Sequence, residues 1–399
     1  MQSFPITQGV PGFKFSGISA GLKKDGLKDL GLILCDTPAP AAAVFTRNRV
    51  KAAPVLISAK NVRNHTIQAI LVNSGNANAC TGQAGINAAL KTTTALADRI
   101  GINPALVAPF STGVIGVPFP ANKIINHLPG LLQNAGPKNS PDFARSILTT
   151  DTVVKTSTCR ETINQETIRI LGMAKGSGMI MPDMATMLAF IVTDISIDKN
   201  LLSPLLKEIN EETFNRISVD GDMSTNDAVI VLSSCRSKQQ ITRTNTKAFH
   251  TFQKLLRRVM RELATMIVKD GEGATKLIHI KVIHAASRAD AKKAAMQVAN
   301  SNLVKTAFFG EDFNWGRILG ALGSAGARFD MNRVALSFND IPAVKNGQGI
   351  GENIPKLKKT VRKKEIDLLI DLKAGKENCT VMTCDLSYDY VRINADYTT

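Results

Sequence analysis

The sequence is poor in the residues that announce many kinds of chemistry. One Trp and three Tyr are too few to furnish the aromatic platform on which single-stranded nucleic acids stack. No stretch approaches about 18 consecutive apolar residues, which excludes a membrane-spanning helix on pattern. The six cysteines (Cys35, Cys80, Cys159, Cys235, Cys379, Cys384) contain no CxxC pair. In a chain of this size they read as reduced thiols, not as a disulfide framework. The five histidines offer no metal site. His279 and His284 stand close, but no carboxylate or thiol completes a zinc-like spacing, and the alternation of Ile278, Ile280 and Val282 makes them strand residues. No metal is expected, and no Ser–His–Asp set stands out. The start, MQSFPITQGVPGFKFSG, has neither the charged and apolar regions of a secretory signal nor the Arg- and Ser-rich character of a transit peptide, so a cytoplasmic location is expected.

What is present is ordinary for a globular protein: 399 residues, 44% hydrophobic and 21% charged. That length allows two or three domains, each with its own core. The net charge of +16 invites a nucleic-acid reading. Its densest stretch is Lys356–Lys364, with others near Arg236–Arg243 and Lys254–Arg261. The last of these lies on a helix whose other face is apolar, and a solvated basic face accounts for it. A basic nucleic-acid-associated protein therefore stands as an alternative only. A diffuse positive field would still gather anionic amino acids.

Apolar alternation predicts strands near Leu32–Cys35, Ala42–Phe45, Val55–Ser58, Ala69–Asn73, Leu188–Ile197, Ala228–Ser233 and Leu277–Ile283. Helices are expected over Ala84–Ile100, Asn122–Asn134 and Leu201–Phe214, and from Ser140-Pro141 to near Thr149. The clearest helix is Thr251–Val268, where Phe252, Leu255, Leu256, Val259, Met260, Leu263, Met266 and Ile267 repeat at three- and four-residue steps. Gly271 is suited to a left-handed cap there, which would hold Glu272 on a tight turn at a sheet edge. From about Ala285 the pattern becomes helix, strand, helix and then several strands, a smaller C-terminal α/β domain. The whole is α/β in class.

One segment stands apart: MAKGSGMIMPDMATMLA, Met173–Ala189. Gly176, Gly178 and Pro182 precede Thr186, and an apolar run opens behind it, so a loop delivers a hydroxyl to the start of a buried strand. By pattern alone a threonine there is usually just a strand residue. Other blocks stand in a fixed order along the chain: AGLKKDGLKDLGLILCD and AVFTRNRVKAAPV near the start, VNSGNANACTG at Val72–Gly82, STGVIG at Ser111–Gly116 and TTDT at Thr149–Thr152. Beyond the threonine follow VDGDMSTND at Val219–Asp227, DGEGATK at Asp270–Lys276, FGEDFNWGRIL at Phe309–Leu319 and YVRINADYTT at the end.

Together these blocks resemble the ornithine acetyltransferase family, the bifunctional glutamate N-acetyltransferases of arginine biosynthesis. The resemblance implies a layered α/β sandwich of the self-cleaving acetyltransferase type. It implies cleavage of the Ala185–Thr186 bond, giving an alpha chain (1–185) and a beta chain that holds the rest of the catalytic layers (186–284) and the C-terminal α/β domain (285–399). Thr186 would then be an N-terminal nucleophile whose own α-amine, with a reference pKa of about 7.7–8.0, serves as its base. The family's oxyanion residues match Thr112 and Gly113. Its substrate-binding positions match Thr149, Lys175, Thr186, Glu272, Asn394 and Thr399. The substrates implied are N2-acetylornithine and glutamate, and the assembly a dimer of αβ pairs. One departure stands beside the scissile bond, where Met181 and Asp183 replace the His and Asn of many relatives.

No cofactor is expected, and whether acetyl-CoA is a second acetyl donor, as in some family members, is left open. Gly271–Lys276 lacks the GxxxxGK[ST] spacing and Gly347–Gly351 the dinucleotide spacing, so neither is a nucleotide loop. An N-terminal-nucleophile amidase or aminopeptidase is the alternative within enzymes. Purified protein should run as two chains, 1–185 and 186–399, and Thr186→Ala as one, by intact mass. Two chains arising at this bond in the alanine variant would rule out self-cleavage by this hydroxyl.

Overall fold

The computed structural model describes all of the chain except residues 25, 164, 182–186, 245 and 397–399. Its larger part is built around one long strand, Leu30–Phe45, that serves two layers. The first half pairs antiparallel with Phe13–Ile18 and Thr66–Asn76, and the latter continues parallel to Val107–Val114. The second half pairs with Ala228–Ser233, followed by Leu188–Thr193, Glu166–Lys175 and Lys155–Ile163. The ladder to Thr66–Asn76 shifts register between Leu34 and Ala39, and such an irregularity lets a strand bend from one layer to the next. Ile33, Ile70, Val72 and Phe110 of the first layer thereby share a core with Met173, Phe190, Val192 and Ile230 of the second.

Helices cover both outer faces. Gly82–Ile100 and Ala121–Gln133 bury Leu96, Ala97, Ile124 and Leu128 against Leu30, Leu32 and Leu71. Lys199–Glu212 and Lys247–Lys269 bury Leu202, Leu206, Leu256 and Leu263 against Ile170, Ile191 and Val231. The result is helix, sheet, sheet, helix: a layered α/β sandwich. Its central strand follows from composition. In Leu188–Thr193 every residue is buried, with Leu188, Phe190 and Val192 facing the inner core and Ala189 and Ile191 the outer one. A continuous apolar run suits a strand covered on both faces. The Phe190 ring meets Phe110 and Phe143 edge-on, at centroid distances of 5.2 Å.

A second sheet, in the order Gln348–Gly349, Ile341–Lys345, Ala335–Phe338, Glu365–Asp371, Leu277–Ala285, Glu377–Cys384, Ile217–Ser218, forms the smaller α/β part. Helices Arg288–Asn300, Asn302–Phe309, Trp315–Gly323 and Ile354–Thr360 share its core. Chain on both sides of residue 285 enters this sheet, because Leu277–Ala285 is one of its inner strands.

Two local expectations are corrected. Val55–Ser58 is not a strand but part of the helix Ala53–Val62. Pro54 sits in its first turn, and the amides of Val55 and Leu56 both reach back to the Ala52 carbonyl; a proline whose ring presets a helical φ outweighs a short apolar run. Gly271 is also not the left-handed residue. The helix Lys247–Lys269 is capped by Asp270 at φ −98, and the positive φ in the following turn belongs to Gly273, at 68. Its Cβ would lie 2.6 Å from the Tyr390 nitrogen, so a glycine there lets the C-terminal helix Tyr388–Asp396 pack on the turn that carries Glu272.

Gly172 sets the spacing of sheet and helix. A Cβ on it would lie 2.6 Å from Val259 Cγ1 and 2.7 Å from Leu263 Cδ1. Gly172→Ala should therefore lower stability by about 1–3 kcal/mol through overpacking, seen as a lower urea midpoint. An unchanged midpoint would show that the helix has room to shift.

Candidate active site

Val107–Val114 ends in the residues expected to face an oxyanion. Gly113 stands at φ 126, and a Cβ there would lie 2.4 Å from the Gly75 carbonyl carbon, so only glycine fits. Asn76 pairs with both Thr112 and Val114, an irregularity that turns the strand end. Thr112 is buried there. The side-chain amide of Asn226 holds the turn, donating to the Ser111 carbonyl at 2.8 Å and the Ala77 carbonyl at 2.7 Å.

Lys175 closes the strand Glu166–Lys175 and is only 4% exposed. Its neighbour is Asp151, with Nζ 3.9 Å from Oδ2. The Asp151 side chain is itself fully buried and fully engaged. It accepts the Gly176 amide at 2.7 Å, the Thr149 amide at 3.0 Å and the Lys155 ammonium at 2.6 Å. Lys155 also donates to Asp270, which accepts the Thr152 amide and hydroxyl. Burial alone would raise the Asp151 pKa, but Lys175 and Lys155 outweigh it and hold the value at about 2. Burial lowers the pKa of Lys175, with Asp151 opposing. Lys175 thus has a counter-ion nearby that favours its charged form against burial, at a distance longer than a hydrogen bond.

The pocket that Lys175 lines also has an acidic lining residue. Glu272 is fixed by its own amide, which donates to the Ser177 carbonyl at 2.9 Å. Its carboxylate accepts the Asn394 side-chain amide at 2.9 Å. Gly178 makes room for it: a Cβ there would come within 2.5 Å of both carboxylate oxygens. Asp220 accepts the amides of Met179 and Ile180 at 2.6 and 2.8 Å and fixes the chain after that glycine. One pocket is lined by Thr112, Gly113, Thr149, Lys175, Glu272 and Asn394, drawn from five separate segments of chain.

Residues 14–399 match the model of the ArgJ family. The chain belongs to the ArgJ family. A relative from Geobacter sulfurreducens, the arginine biosynthesis bifunctional protein ArgJ, is 48% identical over 391 residues, covering 98% of this chain and 100% of its own. Two solved structures are also similar. The arginine biosynthesis bifunctional protein argJ of Bacillus halodurans is 38% identical over 51% of this chain and 96% of that one, with a TM-score of 0.49. The ornithine acetyltransferase of Mycobacterium tuberculosis, complexed with ornithine, is 34% identical over 44% and 95%, with a TM-score of 0.39. This is the family that the sequence blocks resemble, and the protein is accordingly an acetyltransferase of arginine biosynthesis.

Within this ArgJ protein, the six described residues expected at the site come together in the pocket; Ala185, Thr186 and Thr399 lie outside the described residues. Sequence reading passed over Asp151, Asn226 and Asp227, although each stands inside a block it had singled out. Asp151 had one visible signal, Lys155 four residues on; the other partners come from segments that only the fold brings near.

Asp151→Asn leaves two buried ammonium groups with one carboxylate fewer and should cost about 3–5 kcal/mol at pH 7, read by urea unfolding. Asp151 ionises more readily folded than unfolded. Its contribution is therefore full above the ordinary value of 3.8 and is lost as pH falls through about 2. Wild type and variant should converge across that window. A gap that persists unchanged at pH 2 would mean that shape, not charge, was lost.

Proposed function

We propose that this enzyme carries acetyl from N2-acetylornithine to glutamate through an acetyl-Thr186 intermediate, after cutting its own Ala185–Thr186 bond. The observation that carries the reading is one pocket whose lining includes both a buried ammonium, Lys175, and a carboxylate, Glu272. An amino acid with an α-carboxylate and a distal ammonium is complementary to both ends.

Lys175 takes the α-carboxylate and Glu272 the δ-ammonium, which sets the acetyl amide at the nucleophile. The free α-amine of Thr186 removes the proton from its own hydroxyl, and Oγ attacks the acetyl carbonyl. Negative charge develops on the carbonyl oxygen, where the Thr112–Gly113 strand end stabilises it; a preorganised donor of this kind is commonly worth about 3–4 kcal/mol. The proton passes to the ornithine nitrogen as its bond to the acetyl carbon breaks. Ornithine leaves before glutamate enters, and the amine of glutamate then attacks the acetyl ester by the same path reversed. Thr149 lines the pocket near Lys175, and Thr399 completes the substrate contacts from the tail. The two chains stay together as αβ pairs that dimerise, and the enzyme works in the cytoplasm.

Lys175→Met should raise KM for both acetylornithine and glutamate, since both present an α-carboxylate. Glu272→Gln should weaken acetylornithine selectively, because the distal group of glutamate is negative. A charge-assisted contact of about 1.5–3 kcal/mol makes each loss about tenfold or more. Steady-state kinetics with each substrate varied will read them, and equal losses for both substrates in Glu272→Gln would defeat the assignment.

A further inference from the structure

Among the buried carboxylates that the acetyl-transfer steps do not use, Asp227 is the one beside the scissile segment in strand pairing. Asp227 stands immediately before the strand Ala228–Ser233, which runs parallel to Leu188–Thr193 with Ala228 opposite Leu188. Its Oδ1 accepts the Met187 amide at 3.1 Å, the amide that joins Met187 covalently to Thr186. Its Oδ2 is buried with no hydrogen-bond partner among the described residues. The backbone around it is pinned, since the Asp227 carbonyl accepts the Thr46 amide at 3.0 Å and the Ala228 amide donates to the Met187 carbonyl at 3.1 Å. The carboxylate is buried, and the amide it holds lies one residue from the scissile bond.

A buried carboxylate with an orphan oxygen is costly as an anion. Burial raises the Asp227 pKa well above the ordinary carboxylate value. The groups facing it pull the other way without prevailing: the Met187 amide, the Ser224 and Thr46 hydroxyls, and the Lys175 ammonium from the strand on the far side of Leu188–Thr193. Burial and the unpartnered oxygen therefore favour the carboxyl that keeps its proton. The covalent chemistry next to it needs one, because an amide nitrogen does not leave a tetrahedral centre as an anion.

We propose that Asp227 is the acid that protonates the nitrogen of Thr186 as the Ala185–Thr186 bond breaks. The inference rests on the reading of Thr186 as the self-cleaving nucleophile. Thr186 Oγ bonds to the Ala185 carbonyl carbon, and the bond from that carbon to the Thr186 nitrogen breaks. The nitrogen takes the Asp227 proton and leaves as an amine, and the proton released from the hydroxyl returns to the Asp227 carboxylate. The acid is regenerated, and the product is an ester of Ala185 on Oγ. Water then opens the ester to the Ala185 carboxylate and the free hydroxyl, its extra proton going to the new α-amine.

Full-length precursor recovered unfolded from inclusion bodies and refolded allows the cut to be timed by intact mass. Wild type, Asp227→Asn and Thr186→Ala are compared from pH 6 to pH 10. Asparagine keeps the size of aspartate and an acceptor for the Met187 amide but has no acid proton to give. General acid catalysis is typically worth 10²–10⁴-fold, so Asp227→Asn should be cut about a hundredfold or more slowly, while melting within a few degrees of the uncut Thr186→Ala chain. The wild-type rate should fall as pH rises through the pKa of the acid, and the residual rate of Asp227→Asn should lack that fall. Cleavage of Asp227→Asn within about threefold of wild type overturns the role of Asp227 alone. Should Asp227→Asn fail to fold, the wild-type profile decides, and a rate that falls nowhere up to pH 10 overturns the proposal. A wild-type chain that stays uncut overturns both this proposal and the reading of Thr186.

Discussion

The carboxylate of Asp151 is the contact on which the site depends. It lies out of solvent between two ammonium groups, Lys155 and Lys175, and also accepts the amides of Thr149 and Gly176. A buried ion pair gains little net stability, because desolvation takes back most of the Coulomb attraction. What this arrangement supplies is definition. The segments 149–155 and 175–176 are tied to one point, and Lys155 extends the tie to Asp270 at the end of the longest helix. Pocket-lining groups that come from distant parts of the chain are thereby held in fixed relation. Lys175 is left at 3.9 Å from its counter-ion, which opposes the loss of charge that burial favours.

Close approach of backbone does the rest. Gly113 lets the strand end turn against Gly75, Gly178 leaves space for the Glu272 carboxylate, and Gly273 lets the C-terminal helix lie on the Glu272 turn. Each is a point where a single methyl group would push one wall of the pocket away from another. The smaller α/β part thus reaches the pocket through Tyr390 and Asn394, while the layered sandwich supplies the Thr112–Gly113 strand end and Lys175. The central parallel pair of strands has both faces buried, and Met187 and Asp227, just before its two strands, are buried with it.

Most of the regular structure was legible from periodicity. The helix Lys247–Lys269 and the strands Leu188–Thr193 and Ala228–Ser233 were visible because their apolar residues repeat at the period of the element and cover a whole face. The failures were short and local. Val55–Ser58 has a strand-like composition, yet Pro54 and the Ala52 carbonyl start a helix there. At 270–273 the left-handed residue is Gly273, not Gly271, since the position needing it is set by the packing of Tyr390, far along the chain. The second sheet takes in Leu277–Ala285 from before residue 285 because strand partners are chosen by burial and register, not by nearness in sequence.

The sequence by itself determined the family, through ordered blocks spread along the chain, and with it the residue types at the site. It also determined the fold class, because alternation and helical period are properties of neighbouring residues. Tertiary structure alone decided the electrostatics. A lysine and an aspartate have their usual character until burial removes water, and only the fold could show that Asp151 is flanked by two ammonium groups and Asp227 by almost none. The same distinction explains why Glu272 and Asn394 meet at 2.9 Å although 122 positions separate them. Charge state and contact depend on which surfaces lose their solvent, and that is settled by packing between segments that no local pattern links.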